Sequence, residues 1–193
     1  MKFRSFVALE IPPQIQIAIA KKVSPLIQHY PKPLIRWVEP NNYHLTLQFL
    51  SDRTTEELDY LAESFHKKIS KVHQFVIKFL KLGTYPNFKK PRVIWVGINA
   101  PPELSQMYKR IETICSSNYF PKNSRDFSPH LTLGRIRDTK ILPDHIKFNN
   151  ELSSISFDSI EPVDISEIKI FKSDLRPSGP LYTVVHRIPL GIG

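Results

Sequence analysis

One tetrapeptide occurs twice in this chain. His44-Leu45-Thr46-Leu47 returns as His130-Leu131-Thr132-Leu133, 86 positions later (130 − 44). Each copy is preceded by a helix-containing stretch, so the pair reads as an internal duplication that has diverged elsewhere. Each copy also reads as a strand. Alternate side chains of a strand share a face. His44 and Thr46 therefore point one way, and Leu45, Leu47 and Phe49 the other. His130 and Thr132 likewise oppose Leu131 and Leu133. The leucines anchor each copy in a core, and an imidazole and a hydroxyl stand on the opposite face. Two such strands facing across a groove would set two imidazoles and two hydroxyls around one point.

That set suits phosphodiester chemistry. A neutral imidazole can take a proton from an attacking hydroxyl or water, and an imidazolium can protonate the departing oxygen. The hydroxyls can donate to phosphate oxygens as charge builds there. No metal is required, and a pair of histidines without a third His or a nearby carboxylate makes a poor zinc site. Either copy alone would be an ordinary strand histidine; the pair carries the signal.

Composition fits this chemistry. Twenty-seven Lys and Arg against 18 Asp and Glu give a formal charge of +9, which attracts polyanions, nucleic acid foremost. The 193 residues suit one compact unit or two small lobes sharing a core. A lone Cys115 excludes an intrachain disulfide framework and a cysteine zinc cluster, and fits a reducing compartment. No apolar run approaches the roughly 18 residues of a membrane span. The first ten residues begin like a signal peptide, but Glu10 and Pro12-Pro13 interrupt them. The expectation is a cytoplasmic protein.

Strand and helix patterns interleave. Phe3–Glu10 alternates as a strand, and Pro12-Pro13 opens a helix to about His29, with Pro25 kinking or ending it. Short strands follow at 35–38 and 43–50. Thr54 and Glu57 have capping-box spacing and begin a helix to about Ser70. Residues 75–82 and 92–98 read as strands, and Pro101-Pro102 opens a helix to about Ser117. Strands at 130–136, 165–171 and 182–187 complete the set. Short connections between strands argue for antiparallel or mixed sheets with helices outside, an α+β architecture.

At the two motifs the chain resembles the 2H phosphoesterase superfamily, whose signature is a pair of His-x-Thr/Ser-x motifs. Within it, the chain is most similar to the RNA 2′,3′-cyclic phosphodiesterases, also called 2′-5′ RNA ligases. The similarity takes in residues 6–12, Arg36-Trp37-Val38 before the first motif, residues 91–97, residues 127–135, and 170–175 with Tyr182 after them. It implies an α+β fold, bilobal and pseudo-twofold, with two antiparallel sheets lining a central cleft and residues 1–193 forming one domain of two intertwined lobes. It implies hydrolysis of RNA 2′,3′-cyclic phosphate ends to a 2′-phosphomonoester, and in some members the reverse 2′-5′ joining of tRNA halves. His44 would be the proton donor and His130 the proton acceptor, with Thr46 and Thr132 holding the phosphate. No metal and no cofactor is implied. The partner would be RNA with a cyclic phosphate terminus, tRNA fragments among the candidates. A monomer is expected at this size.

Two positions depart from the family pattern. Ser128 stands where many members have Arg before the Pro of the second motif, and Ser51 where glycine commonly follows Phe-Leu after the first. Three residues are candidates for substrate binding: Arg135, Phe6 and Tyr182. On a regular strand Arg135 would face away from the cleft; a bulge would turn it toward substrate, and pairing with an acid is the other reading. Phe6 would either stack on a base at the cleft floor or pack in the core. Trp37 and Trp95 read as packing residues, and Cys115 as a small buried hydrophobe. Two other functions fit the same residues: an RNA-binding or RNA-end-protecting module with vestigial catalysis, and a phosphodiesterase acting on 2′-5′ oligonucleotides or small cyclic nucleotides.

Overall fold

A computed structural model describes residues 1–118, 120–121, 126–137, 145–177 and 179–191. The first half runs β1 (Phe3–Glu10), α1 (Pro13–His29), β2 (Ile35–Trp37), β3 (His44–Arg53), α2 (Thr55–Ile69), β4 (Phe75–Ile77) and β5 (Phe79–Tyr85). The second runs β6 (Val93–Ile98), α3 (Pro102–Ser117), β7 (His130–Ile136), α4 (His145–Ser154), β8 (Val163–Ile165), β9 (Glu167–Arg176) and β10 (Gly179–Pro189). The class is α+β, with two four-stranded antiparallel sheets ordered β10-β9-β1-β3 and β2-β7-β6-β5, and a small β4-β8 pair.

The sheet orders carry the duplication. Strands β9-β1-β3 correspond to β5-β6-β7, each trio placing its tetrapeptide strand third. The halves also exchange strands: β9 and β10 complete the sheet of β1 and β3, while β2 and β5 complete the sheet of β6 and β7. One continuous core gathers Val7 and Leu9, Leu45 and Leu47, Leu131 and Leu133, and the inner faces of α1, α2 and α3. A smaller cluster of Phe6, Ala8 and Phe171 lies on the opposite face of the first sheet. Among the described residues no helix is long and apolar enough to cross a membrane.

Local chemistry explains most element boundaries. Thr54 accepts from the Glu57 amide while Glu57 accepts from the Thr54 amide, so the expected capping box starts α2. Helix α1 neither ends nor breaks at Pro25. The proline removes the donor that Lys21 would have used, and Ser24 Oγ, 2.9 Å away, donates to that carbonyl instead. The stretch 75–82, read as one strand, is two strands in different sheets. The break falls at Lys78, whose amide donates to Asn99 Oδ1 and whose carbonyl accepts from the Asn99 amide. Helix α4 and strand β8 were not expected.

Candidate active site

His44 and His130 open β3 and β7, so each stands where a loop enters its sheet. The loops hold both rings alike. His44 Nδ1–H donates to the Asn42 carbonyl at 2.7 Å, and His130 Nδ1–H donates to the Ser128 carbonyl at 2.7 Å. A carbonyl can only accept, so this contact fixes the proton on Nδ1 and leaves each Nε2 free to take or give one. Each carbonyl is itself steadied through its own residue's side chain. Asn42 Nδ2 donates to the Pro180 carbonyl of β10 at 3.0 Å, and Tyr85 Oη donates to Ser128 Oγ at 3.0 Å. Ser128 thus orients His130 through its backbone carbonyl.

Burial pushes the His44 imidazole below its ordinary value; the Asn42 carbonyl opposes this and the charge of His130 adds to it. Strands β3 and β7, which carry the two rings, approach each other directly, and the charge of His130 bears on His44. Burial also lowers His130, opposed by the Ser128 carbonyl and aided by the Arg135 guanidinium. The surroundings differ. Phe6, Tyr182 and Phe171 flank His44, with ring centroids 4.9, 5.1 and 6.5 Å away. Tyr85 and Trp95 flank His130 at 5.0 and 6.1 Å. Among the described residues no three His, Cys, Asp or Glu are grouped to hold a metal ion.

Both motif strands depart from regular alternation at the same place. On β3, Thr46 pairs with Ala8 and Gln48 with Val7, leaving Leu47 extra. On β7, Thr132 pairs with Trp95 and Gly134 with Ile94, leaving Leu133 extra. An extra residue reverses the facing of everything beyond it. Thr46 and Thr132 keep the face of their histidines. Beyond the bulges, Phe49 and Arg135 join that face. For Phe49 this corrects the expectation that it points to the core: it is 62% exposed, and its ring lies 6.5 Å from Phe6. For Arg135 the bulge decides the facing: it lies exposed on the face of His130, and its charge bears on His130 and on Tyr182 of the other sheet.

Phe6 is 5% exposed, stacked on Phe171 at 5.2 Å and edge-on to Tyr182 at 5.1 Å. It has no open face for a base and instead backs the His44 ring. Tyr182 borders both His44 and the Arg135 charge. Trp37 is a packing residue, as expected, with Nε1 donating to the Tyr30 carbonyl at 2.8 Å. Trp95 is not only that. It pairs with Thr132, packs 5.1 Å from Tyr85 and lies across Gly83, where a Cβ would meet its ring at 2.3 Å. Cys115 is buried, which pushes its thiol up to about 12.

The family model for LigT-like phosphoesterases matches this chain twice, over residues 9–95 and 96–182. The chain belongs to the LigT-like phosphoesterase family. The two matches divide the chain between β6 residues Trp95 and Val96, so each copy of the family unit holds one tetrapeptide. An RNA 2′,3′-cyclic phosphodiesterase of Aquifex aeolicus is 34% identical over 160 residues, 81% of this chain and 82% of that protein. One of Methanocaldococcus jannaschii is 33% identical over 185 residues, covering 94% and 98%. The crystal structure of Escherichia coli LigT with 3′-AMP has a TM-score of 0.72 at 21% identity, covering 98% of this chain and 99% of that one. The LigT fold is therefore this chain's fold.

Proposed function

We propose that this chain hydrolyses 2′,3′-cyclic phosphate ends of RNA to a 2′-phosphomonoester. One observation carries the reading: two imidazoles from a duplicated motif open strands that approach each other, each with Nδ1 held on a carbonyl so that Nε2 is the nitrogen left for proton transfer. The relatives named RNA 2′,3′-cyclic phosphodiesterases support the choice of substrate, and the +9 charge suits a polyanion.

His130 Nε2 accepts a proton from water, and the water oxygen attacks phosphorus. The P–O3′ bond breaks as His44 Nε2–H gives its proton to the leaving O3′. The products are a 2′-phosphate and a 3′-hydroxyl, and one proton has moved from His44 to His130. The hydroxyls of Thr46 and Thr132 donate to the non-bridging oxygens. Residues 1–193 act as one domain in this reading, and a monomer suffices because one chain supplies both motifs. A lone buried cysteine suits the cytoplasm, and tRNA fragments are a natural substrate there.

The test is a cyclic-phosphate-ended oligonucleotide incubated with the protein in EDTA, with the product resolved as 2′- or 3′-phosphate. The expected product is the 2′-phosphate. His44→Ala and His130→Ala should each lower kcat by about 10²-fold or more while RNA binding persists. Wild-type turnover in either variant would reject the two-histidine mechanism. Tight, salt-sensitive RNA binding without turnover in the unaltered protein would point to an end-protecting module instead.

A further inference from the structure

Strand β1 ends beside the first motif. In its antiparallel pairing with β3, Glu10 lies directly opposite His44, and Leu9 opposite Leu45. Both leucines turn into the core, so Glu10 and His44 share the outer face of that sheet. Residues directly opposite on one face hold their Cβ atoms about 5 Å apart. A carboxylate there is within reach of the imidazole and suited to pair with its protonated form. Glu10 pairs instead with the Lys169 ammonium, and among the described residues His44 has no carboxylate partner.

Lys169 is 4% exposed, although it lies on that same outer face. Its neighbours Ile168 and Ile170 turn into the core, and it stands in register with Ala8 of β1 and Arg187 of β10. A buried ammonium needs partners. Glu10 and Glu167 supply them, the second at 3.1 Å, and Arg187 bonds Glu167 from its other side at 2.8 Å. Glu167 thus has two cations, whereas among the described residues Glu10 has Lys169 alone. The duplication supplies a comparison. Opposite His130, where β1 would have Glu10, strand β6 has Gly97. The acid and its lysine therefore belong to one histidine and not the other.

We propose that Lys169 is a positioning residue for His44: it holds the Glu10 carboxylate away from the ring, so that His44 gives its proton to the leaving oxygen and does not share it with a carboxylate. This rests on the acid role assigned to His44. The groups facing that ring are Glu10 from β1, His130 from β7 and Tyr182 from β10, with the Asn42 carbonyl on Nδ1 and the uncharged Phe6 and Phe171 beside it. Burial holds the Tyr182 phenol above its ordinary value, so it is neutral where histidines titrate. Glu10 is the carboxylate among them, and Lys169 decides where it points.

The experiment follows the ring resonances of His44 and His130 against pH and, in parallel, kcat/KM against pH on the cyclic-phosphate-ended oligonucleotide. In Lys169→Met the released Glu10 carboxylate should raise the titration midpoint of His44 by about one pH unit, as an adjacent opposite charge does, and move that of His130 little. The falling, alkaline limb of kcat/KM should move up with it, because that limb is the loss of the His44 proton. Glu10→Gln alone should leave the His44 midpoint nearly in place, and adding Glu10→Gln to Lys169→Met should abolish the rise. Lys169→Gln, which keeps a polar head against the carboxylates, should shift His44 the same way and serves if Lys169→Met does not fold. An unmoved His44 midpoint in the lysine variant, or a rise that survives Glu10→Gln, would overturn the proposal. The resonances need no turnover, which keeps the two ideas apart. A His44 midpoint that follows Lys169 in a protein without activity counts against the reaction alone. An active protein whose His44 midpoint ignores Lys169 counts against the positioning role alone.

Discussion

A histidine serves as acid or base only when one nitrogen is held and the other is free. Here a carbonyl two residues behind each ring does the holding. That arrangement sets a pH dependence. In the proposed reaction kcat/KM should rise as His130 loses its proton and fall as His44 loses its own. Burial lowers both imidazoles below their ordinary 6.5, which moves both limbs of the bell toward acid. The maximum of kcat/KM should therefore lie below pH 6.5, and a maximum at or above that value would contradict the environment described for the two rings. At this scale the sequence discloses positions 44, 46, 130 and 132, because strand alternation forces a His and a Thr two apart onto one face. It conceals Phe49 because a bulge is invisible to a count of alternate residues. It conceals Tyr85 because that ring reaches His130 across β6, from another part of the chain.

At the scale of elements, the long, capped and strongly alternating pieces are the legible ones. Strands β1, β3, β6 and β7 and helices α1, α2 and α3 lie within a few residues of their expected positions. Strand β8 spans three residues, too short for any period to declare itself. The split between β4 and β5 depends on Asn99, distant in sequence, satisfying the Lys78 backbone. Strand β3 holds a second irregularity with a measurable effect. Ser51 has φ of 62°, the left-handed region that favours glycine. A residue with a Cβ is strained there by about 1 kcal/mol. Ser51 contributes its carbonyl to Ser5 Oγ at 3.1 Å, and a glycine would keep that bond. Ser51→Gly should stabilise the protein by about 1 kcal/mol and raise Tm by about 2 °C in a thermal melt. An unchanged or lower Tm would show that the strand bears no strain at this turn.

On the scale of the whole molecule, the exchanged strands decide how the halves depend on one another. Neither four-stranded sheet is complete without strands from both halves, and one core runs beneath both. Unfolding should be a single transition. The fluorescence of Trp37 and Trp95 reports on the sheet of β2, β6 and β7, and the ring resonances of His44 report on the other sheet. Their urea midpoints should coincide; separate midpoints would mean that the halves stand alone. The symmetry that joins the halves also leaves something undetermined. Both imidazoles are moored alike, so nothing in the mooring says which gives a proton and which receives one. Direction must come from the unlike surroundings: aromatic rings flank both, but two phenylalanines lie beside His44 whereas a guanidinium charge bears on His130. A machine copied from a single part acquires a forward and a backward only through the places where the copies stopped matching. Trading those neighbours from sheet to sheet is then the alteration that would turn a bound nucleotide end for end.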